Sequence, residues 1–310
     1  MTLQQLRYLC EVAHRHFSIS EAAAALHTSQ PGISKQILAL EDELGVTIFV
    51  RHGKRLTGVT PAGQRLVAMA QQVLAAGDNL KRAAFDLQDE DAGDLVIATT
   101  HTQARYLLPK VLPVFVQRFP RVRLFIHQGN PVQVAQEVAS GQADMGIATE
   151  YLESVNELVT LPLYTWNRLV VAPKAHPILA KPHLTLADIA AYPLVSYDIS
   201  VAGRGAVNRT FEAAGITPTF VLSAMDSDVI KTYVELGIGI GLLAEMAYNP
   251  AQDTKLGAAT VQHLFPESVT RLALRRGRFL RGYVYQLIAL LSADLSKAIV
   301  DEALADSFKG

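Results

Sequence analysis

The chain contains little of what marks exported, membrane-bound or metal-binding proteins. It has one cysteine, Cys10, in 310 residues, which excludes an internal disulfide and favours a reducing location. Its start, MTLQQLRYLCEVAHRH, has no apolar signal-type core, and no run approaches the roughly 18 apolar residues of a membrane span. The nine histidines are scattered without metal-ligand spacing. We therefore expect a cytoplasmic protein with neither a metal nor a membrane partner.

Motifs of the common enzymes are also absent from the sequence. No Walker sequence, no G-x-S-x-G elbow and no G-x-G-x-x-G after a strand occurs. The segment GIGIGLLAE at 237–245 comes nearest to a dinucleotide loop, but it lacks the acidic partner and the helix, so close strand packing is the better interpretation. The sequence therefore predicts neither an enzyme nor a cofactor. The net charge of -1 neither favours nor excludes nucleic acid, because a small basic module can be hidden in the sum.

Two short helices joined by a tight turn are predicted near the start of the chain. Ser18 can cap the first of them. Thr28 or Ser29 can cap the second, with Pro31 in its first turn, where no backbone donor is needed. Apolar residues at three- and four-residue steps give the second helix a buried face, and Gly45 is well placed to end it. This arrangement fits either a DNA-binding helix-turn-helix or a three-helix packing module.

The next segment, FVRHGKRLTGVTPAG, favours DNA binding. It has strand-like residues around a basic tip that contains Arg51, His52, Lys54 and Arg55. A basic wing of this kind can lie along a phosphate backbone. A solvated hairpin tip is the alternative.

Residues 1–65 resemble the winged helix-turn-helix of LysR-type transcriptional regulators. The resemblance is carried by LRYLCEVAHRHFSISEAAAALHTSQPGISKQILALEDELGVTIFVR and LTGVTPAGQRL. It implies promoter DNA as a partner. The residues that it implies for DNA contact are Ser29, Gln30, Pro31, Ser34 and Lys35 on the second helix, and Arg51 and Lys54 on the wing.

A long helix with an apolar seam follows the wing. Thr60 and Pro61 can begin it. The seam repeats every seven residues, at Leu66, Val73, Leu80 and Leu87. Such a repeat is typical of a two-helix coiled coil, although a helix packed on its own domain looks similar. The acidic stretch QDEDAGD favours an exposed dimer helix that ends in a linker. We expect a homodimer, since one recognition helix covers only a half-site, and a homotetramer as its assembly.

From Asp94 onward, segments of strand and helix character alternate, which predicts an α/β class. The resemblance extends to the effector domain of the same regulators, itself similar to periplasmic binding proteins, and implies two α/β lobes joined by two crossing strands. The expected fold class is α + α/β. Its domains are a winged helix-turn-helix at 1–59, a dimerisation helix and linker at 60–93, and an effector-binding domain at 94–310. Lobe one comprises about 94–164 and 265–310, and lobe two about 165–264.

The segment ATTHTQARYLLP collects hydroxyl, imidazole and amide groups where a strand turns into a helix. Free backbone N–H groups and hydroxyl donors can hold an anion at such a turn. The alternative is that one threonine caps the helix and the other groups are solvated.

Within the family, the segments TTHTQARY, HQGNP, IATE, WNRLVV, DSDVIKTYV and LGIGIGLLAE resemble the CysB group of regulators, which govern sulfur assimilation. The segment LSAMDSDVIKTYV is most similar to the Cbl and SsuR branch. The resemblance implies a small anionic effector such as sulfate, adenosine phosphosulfate or an acetylserine. It implies contact residues at Thr100, Thr102, Gln103, Thr149 and Trp166.

The sequence departs from the group at lobe two. Where CysB carries a Thr-Gly-Arg-Ser turn, this chain has AGRG at 202–205, so Ala202 lies at the effector position without a hydroxyl donor. Loss of a paired donor can be worth roughly 1 kcal/mol. A different effector or pose from that of CysB is therefore expected. The alternative function is an anion carrier of solute-binding type without a promoter.

Overall fold

A computed structural model of the chain describes residues 1–53, 55–88, 90–199 and 204–305. The chain divides into two compact units. The first comprises Met1–Gln88 with Gly277–Phe279, and the second comprises Asp89–Arg276 with Leu280–Gly310.

The first unit has the order of elements of a winged helix-turn-helix. The elements are α1 Leu3–His14, α2 Ile19–Ala25, α3 Gln30–Leu44, β1 Phe49–His52, β2 Arg55–Val59 and α4 Pro61–Gln88. The predicted helix ends are confirmed. Ser18 Oγ accepts the amide of Glu21 at 3.3 Å, and Ser29 Oγ accepts that of Gly32 at the same distance. Gly45 ends α3 in the left-handed region at φ 66°.

The helix α4 has two apolar faces, of which one packs on its own unit; a coiled-coil seam on the other face stays a prediction. One face packs on the core of the first unit through Leu66, Val67, Ala70 and Leu74. The other leaves Met69, Val73 and Leu80 exposed at 58%, 42% and 73%. The side chain of Leu87 lies outside the described part of the chain.

Helix α1 buries only part of its apolar face. Leu6 and Leu9 are buried, whereas Leu3 is exposed. Cys10 is half-buried, and burial, followed by the charge of Glu11, raises the pKa of its thiol to about 11. This thiol is therefore protonated at neutral pH, and Cys10 serves as a packing residue against the core of the first unit.

In the described part of the second unit, the strands form two five-stranded sheets. The elements from 92 to 173 are β3 Ala92–Thr99, α5 His101–Tyr106, α6 Leu108–Arg118, β4 Arg121–Gln128, α7 Pro131–Ser140, β5 Met145–Ala148, β6 Leu158–Trp166 and β7 Arg168–Pro173. Those from 186 onward are α8 Leu186–Ala190, β8 Leu194–Tyr197, α9 Arg204–Ala213, β9 Phe220–Ala224, α10 Ser227–Glu235, β10 Ile240–Ala244, β11 Leu256–Thr260, β12 Ser268–Arg275, α11 Gly282–Leu291 and α12 Lys297–Ala305.

One sheet has the order β4-β3-β5-β12-β6 and the other the order β11-β7-β10-β8-β9. They form the cores of lobe one and lobe two respectively. The first sheet continues to Trp166, two residues beyond the expected departure near Tyr164, and the chain enters the second sheet at Arg168. The return falls between β11 and β12. The boundaries of the lobes at 164/165 and 264/265 stay predictions.

The structure of the second unit tests two expectations from the sequence, the packing at GIGIGLLAE and the helix after the polar turn. The segment GIGIGLLAE contains the buried strand β10, and a Cβ on Gly239 would lie 2.3 Å from the carbonyl oxygen of Pro193. The glycine there allows close packing, as predicted. By contrast, the single helix expected after the polar turn is two helices, because α5 ends at Tyr106 and α6 starts at Leu108, just before Pro109.

The described residues contain no helix both long and apolar enough to cross a membrane. Within the same ranges, no three histidine, cysteine or acidic side chains lie close enough together to hold a metal ion.

Candidate effector site and DNA-binding surface

The polar turn after β3 retains hydrogen-bonding groups that its own helix does not use. Thr99 Oγ1 donates to the carbonyl oxygen of Ile147 at 3.0 Å, so this hydroxyl belongs to the sheet. Thr100 is the N-cap of α5 and is buried, but its side chain makes no capping bond. Nδ1 of His101 is also buried, without a hydrogen-bond partner among the described residues. The interpretation of a plain threonine-capped helix is therefore wrong.

A cleft of about 270 Å³, counted with its part open to solvent, lies at this turn. Its lining residues come from both lobes and from the first crossing. They are Thr100, Thr102, Gln103, Thr149, Trp166, Tyr197 and Ala244. The structure thus brings together five of the six residues implied for effector contact. The sixth, Ala202, lies outside the described residues. The cleft also contains Tyr197 and Ala244, which the sequence did not indicate.

Thr270 on β12 organises the lobe-one side of the cleft. It is fully buried, and its Oγ1 accepts from Gln103 Nε2 at 3.3 Å and from Trp166 Nε1 at 3.1 Å. Thr149 Oγ1 lies 3.4 Å from the same oxygen. The register of β12 with β6 shifts directly after this residue, which is the kind of bulge that turns side chains toward a site. Three of the predicted contact residues therefore share one hydroxyl group.

Tyr197 plays the corresponding part for lobe two. Its hydroxyl lies 2.6 Å from Ser227 Oγ at the start of α10 and accepts the amide of Ala244 at 3.4 Å. Burial raises the pKa of Tyr197, although hydrogen bonds from Ser227, Ala244 and Thr102 oppose the rise. The phenol therefore stays neutral at physiological pH. Thr102, on α5 of lobe one, and Tyr197, on β8 of lobe two, both line the cleft.

Two buried arginines flank the cleft with their guanidinium groups on backbone oxygens. Arg168 lies 5.2 Å from the ring centre of Trp166 and donates to the carbonyl oxygen of Pro266 at 3.0 Å. Burial lowers its pKa, and the carboxylate of Glu150 opposes that change. Arg204 donates to the carbonyl oxygen of Tyr197 at 2.9 Å. The side chains that line the cleft itself are uncharged.

A second candidate surface lies in the first unit, where a groove of about 670 Å³ runs between the helix turn and the wing. Its lining includes three of the residues implied for DNA contact, Gln30, Pro31 and Ser34, and also Arg55 of β2. Lys35 is exposed beside them. Ser29 is exposed too, but its Oγ already accepts a capping bond. No acidic residue occurs between Glu43 and Asp78, so the wing segment carries a net positive charge.

The two implied wing residues have different positions. Arg51 donates from Nη2 to Glu41 Oε2 at 2.9 Å, so its charge is balanced within the unit. Lys54 lies outside the described residues. Arg55 makes no ion pair within the described ranges, which makes it the more available cation of the wing. The sequence indicated Arg55 only as part of the basic tip, because nothing local distinguishes a paired from an unpaired arginine.

Two family descriptions match the chain. "Bacterial regulatory helix-turn-helix protein, lysR family" covers residues 3–64, and "LysR substrate binding domain" covers residues 88–296. The chain belongs to the LysR family. This LysR-type regulator is accordingly a DNA-binding transcriptional regulator with an effector-binding domain, and not an enzyme. The expected fold class is confirmed, and the alternative of an anion carrier without a promoter is not favoured.

The resemblance to the CysB group is also confirmed. The regulator is 48% identical to the HTH-type transcriptional regulator SsuR of Burkholderia cenocepacia over 99% of this chain and 100% of that protein. It is 48% identical to CysB of the same organism over 98% of this chain and 97% of that one. A crystal structure of the cofactor-binding domain of the Cbl transcriptional regulator is 41% identical and superimposes with a TM-score of 0.66. That match covers 69% of this chain and 93% of the Cbl domain.

Proposed function

We propose that this regulator controls sulfur-assimilation genes and senses a small oxyanion, such as sulfate or thiosulfate, in the cleft. The observation that carries the proposal is the convergence of uncharged hydroxyl, amide and indole donors from both lobes on one small space. Neutral donors can satisfy the oxygens of an anion without a fixed counter-charge. The sulfur assignment rests on the resemblance to the CysB group.

The size of the cleft favours an inorganic anion among the effectors that the resemblance implies. The cavity volume of the cleft is about 10 Å³, far below the roughly 300–1,000 Å³ of sites for drug-sized ligands. Any effector therefore requires the lobes to open, and an inorganic anion requires the least opening. Adenosine phosphosulfate would need a much wider opening of the lobes. An acetylserine is intermediate in size and is the second candidate.

The effector would enter a cleft whose donors are already paired with each other. Gln103 and Trp166 both donate to Thr270. A bound anion therefore replaces some of these hydrogen bonds. The net binding free energy gained per hydrogen bond is then modest, about 1 kcal/mol. Selectivity then depends on how many oxygens accept at once. We propose Tyr197 as a donor that compensates for the hydroxyl missing at Ala202.

The remaining parts of the proposal concern DNA and assembly. Gln30, Pro31, Ser34 and Lys35 would contact promoter DNA in the major groove, with Ser29 at the start of the helix and Arg51 and Lys54 on the wing. The exposed side chains of α4 at Met69, Val73 and Leu80 support a homodimer. A homotetramer and a cytoplasmic location complete the proposal.

Thr102→Ala tests the effector site. Thermal shift of the wild type is measured with sulfate, thiosulfate, adenosine phosphosulfate, O-acetylserine and N-acetylserine. We expect the inorganic anions to raise the melting temperature, and the variant to bind them roughly fivefold more weakly because one bond is lost. The matched control is Thr260→Ala, because Thr260 is an exposed threonine at the end of β11. An absence of any anion response in the wild type, or equal responses in Thr102→Ala and the control, refutes the assignment.

Lys35→Ala and Arg55→Ala test the DNA surface. A promoter fragment is first selected from a random pool with the wild type, and affinity is then measured at several salt concentrations. We expect each variant to bind more weakly, and Arg55→Ala to lower the salt dependence by about one counterion because it removes a phosphate contact. Lys110→Ala in the second unit serves as the control. Wild-type affinity and wild-type salt dependence in both variants would contradict the proposed surface.

A further inference from the structure

A network of charged and polar side chains joins the two lobes beside the effector cleft. Asp228 on α10 of lobe two accepts from the Tyr106 hydroxyl at Oδ1, 2.7 Å away, and from Arg105 Nε at Oδ2, 3.2 Å away. Both partners lie on α5 of lobe one. One carboxylate thus uses both of its oxygens to hold one helix of the opposite lobe.

The same carboxylate is fixed from its own side. Lys231 Nζ lies 3.2 Å from Asp228 Oδ1, 3.0 Å from Asp253 Oδ1 and 2.9 Å from the carbonyl oxygen of Ala247. The residues Lys231 and Asp253 are each 8% exposed. Because Lys231 is held by three oxygens of lobe two, it restrains Asp228 against rotating away from the cleft.

The helix that Asp228 holds also carries the effector groups. Helix α5 has six residues, and Thr102 and Gln103 precede Arg105 and Tyr106 within it. In a helix this short the two pairs lie within about one turn of each other. Their positions therefore cannot shift independently, and restraint of the second pair limits the movement of the first.

We propose that Asp228 is a positioning residue for the effector, which closes lobe two on α5 and thereby sets Thr102 and Gln103 in their anion-binding positions. This inference rests on the proposed function for the cleft. A ligand that binds between the lobes favours the closed arrangement, and by reciprocity any contact that favours closure raises the affinity for the ligand. The contact with Asp228 is such a contact, and it does not itself touch the anion.

The chain offers a matched pair of tyrosine variants for the test. Tyr106→Phe removes the bond to Asp228, whereas Tyr285→Phe removes an equivalent bond to Asp301 between α11 and α12, away from the cleft. Burial and the neighbouring carboxylate raise the pKa of both tyrosines. Sulfate and thiosulfate affinity are measured by calorimetry on the full-length protein. We expect Tyr106→Phe to bind roughly fivefold more weakly, and Tyr285→Phe to bind like the wild type.

A double-mutant cycle separates positioning from a general loss of stability. If Tyr106 acts through Asp228, then Tyr106→Phe combined with Asp228→Ala should weaken anion binding no more than Asp228→Ala alone, because alanine removes the acceptor of the Tyr106 hydroxyl. Additive losses, or equal affinities of the two tyrosine variants, would overturn the inference.

Hydrogen exchange of the α5 amides without any anion gives a readout that does not depend on the proposed effector. Asp228→Asn should speed exchange at His101–Tyr106 and leave the amides of α7 unchanged. If the wild type binds no anion, the proposed function fails. The exchange rates still show whether Asp228 holds α5 in place. Unchanged exchange in α5 would refute the positioning role even if sulfate binds.

Discussion

Thr270→Val is expected to destabilise the second unit by about 2–4 kcal/mol, because valine keeps the shape of threonine but removes the acceptor shared by Trp166 and Gln103. Each buried donor left without a partner costs about 1–3 kcal/mol. In a unit of roughly 150–250 residues, 1 kcal/mol lowers the melting temperature by about 2–4 °C. Calorimetric melting of the full-length protein should therefore show a drop of roughly 4–16 °C in the transition of this unit.

Thr270→Ser provides the control, since serine retains the hydroxyl and loses one methyl group. It should melt much closer to the wild type than the valine variant does. Sulfate should recover part of the loss in Thr270→Val, because its oxygens can accept from the two donors that valine leaves unpaired. If the valine and serine variants melt within about 1 °C of each other, Thr270 does not organise the cleft in the way the hydrogen bonds indicate.

The elements most accurately expected from the sequence depend on local chemistry. Ser18, Ser29 and Gly45 mark helix ends because a hydroxyl accepts an amide three residues later, and because glycine adopts a positive φ at low cost. The strand before the polar turn follows from a short β-branched run. Such features need no knowledge of the rest of the chain, so they could be predicted residue by residue.

The groups that organise the cleft could not be predicted in this way. Gln103 and Thr270 are 167 residues apart, and in sequence Thr270 is an ordinary β-branched residue of a strand. The resemblance supplied the contact residues, but it gave no indication of their shared acceptor. Asp228 was also missed, because a carboxylate near the start of a helix fits the helix dipole equally well. Only tertiary packing brings Thr270 to Gln103 and Asp228 to Tyr106.

The wing shows the same limit of prediction from sequence. The resemblance implies that Arg51 contacts DNA, and the structure shows an ion pair with Glu41, ten residues earlier in sequence. The two observations are compatible if Arg51 orients the wing while Arg55 meets phosphate. The DNA contact of Arg51 stays a prediction, and its pairing makes Glu41 the residue on which the wing depends.

Glu41→Gln is therefore expected to destabilise the first unit and to displace its wing. Glu41 is 8% exposed; its Oε1 accepts the amides of Ile48 at 2.7 Å and Phe49 at 3.0 Å, and its Oε2 binds Arg51. Glutamine offers one acceptor oxygen, and its amide nitrogen must face either Arg51 or the two amides. Bonds to a charged group are worth about 1.5–3 kcal/mol, so we expect a loss of about 2–3 kcal/mol and a displaced wing.

The pH dependence of Glu41 follows from the same bonds. Burial alone would raise its pKa, but the amide of Phe49, the Arg51 guanidinium and the amide of Ile48 together lower it. A lowered pKa contributes stability above the unfolded value, near pH 4.3 for a glutamate, and this stability is lost as the pH falls through the folded value. Glu41→Gln should lack that acid-dependent part of its unfolding profile.

Glu43→Gln is the matched control for this prediction, because Glu43 lies on the same helix but is exposed and bonds only the chain terminus among the described residues. Hydrogen exchange at β1 and affinity for the selected promoter fragment are measured for both variants. Faster exchange at β1 together with weaker DNA binding in Glu41→Gln alone is the expected result, because the wing must be held on α3 before its cations can reach phosphate. Equal exchange and equal affinity in the two variants would show that the carboxylate does not hold the wing.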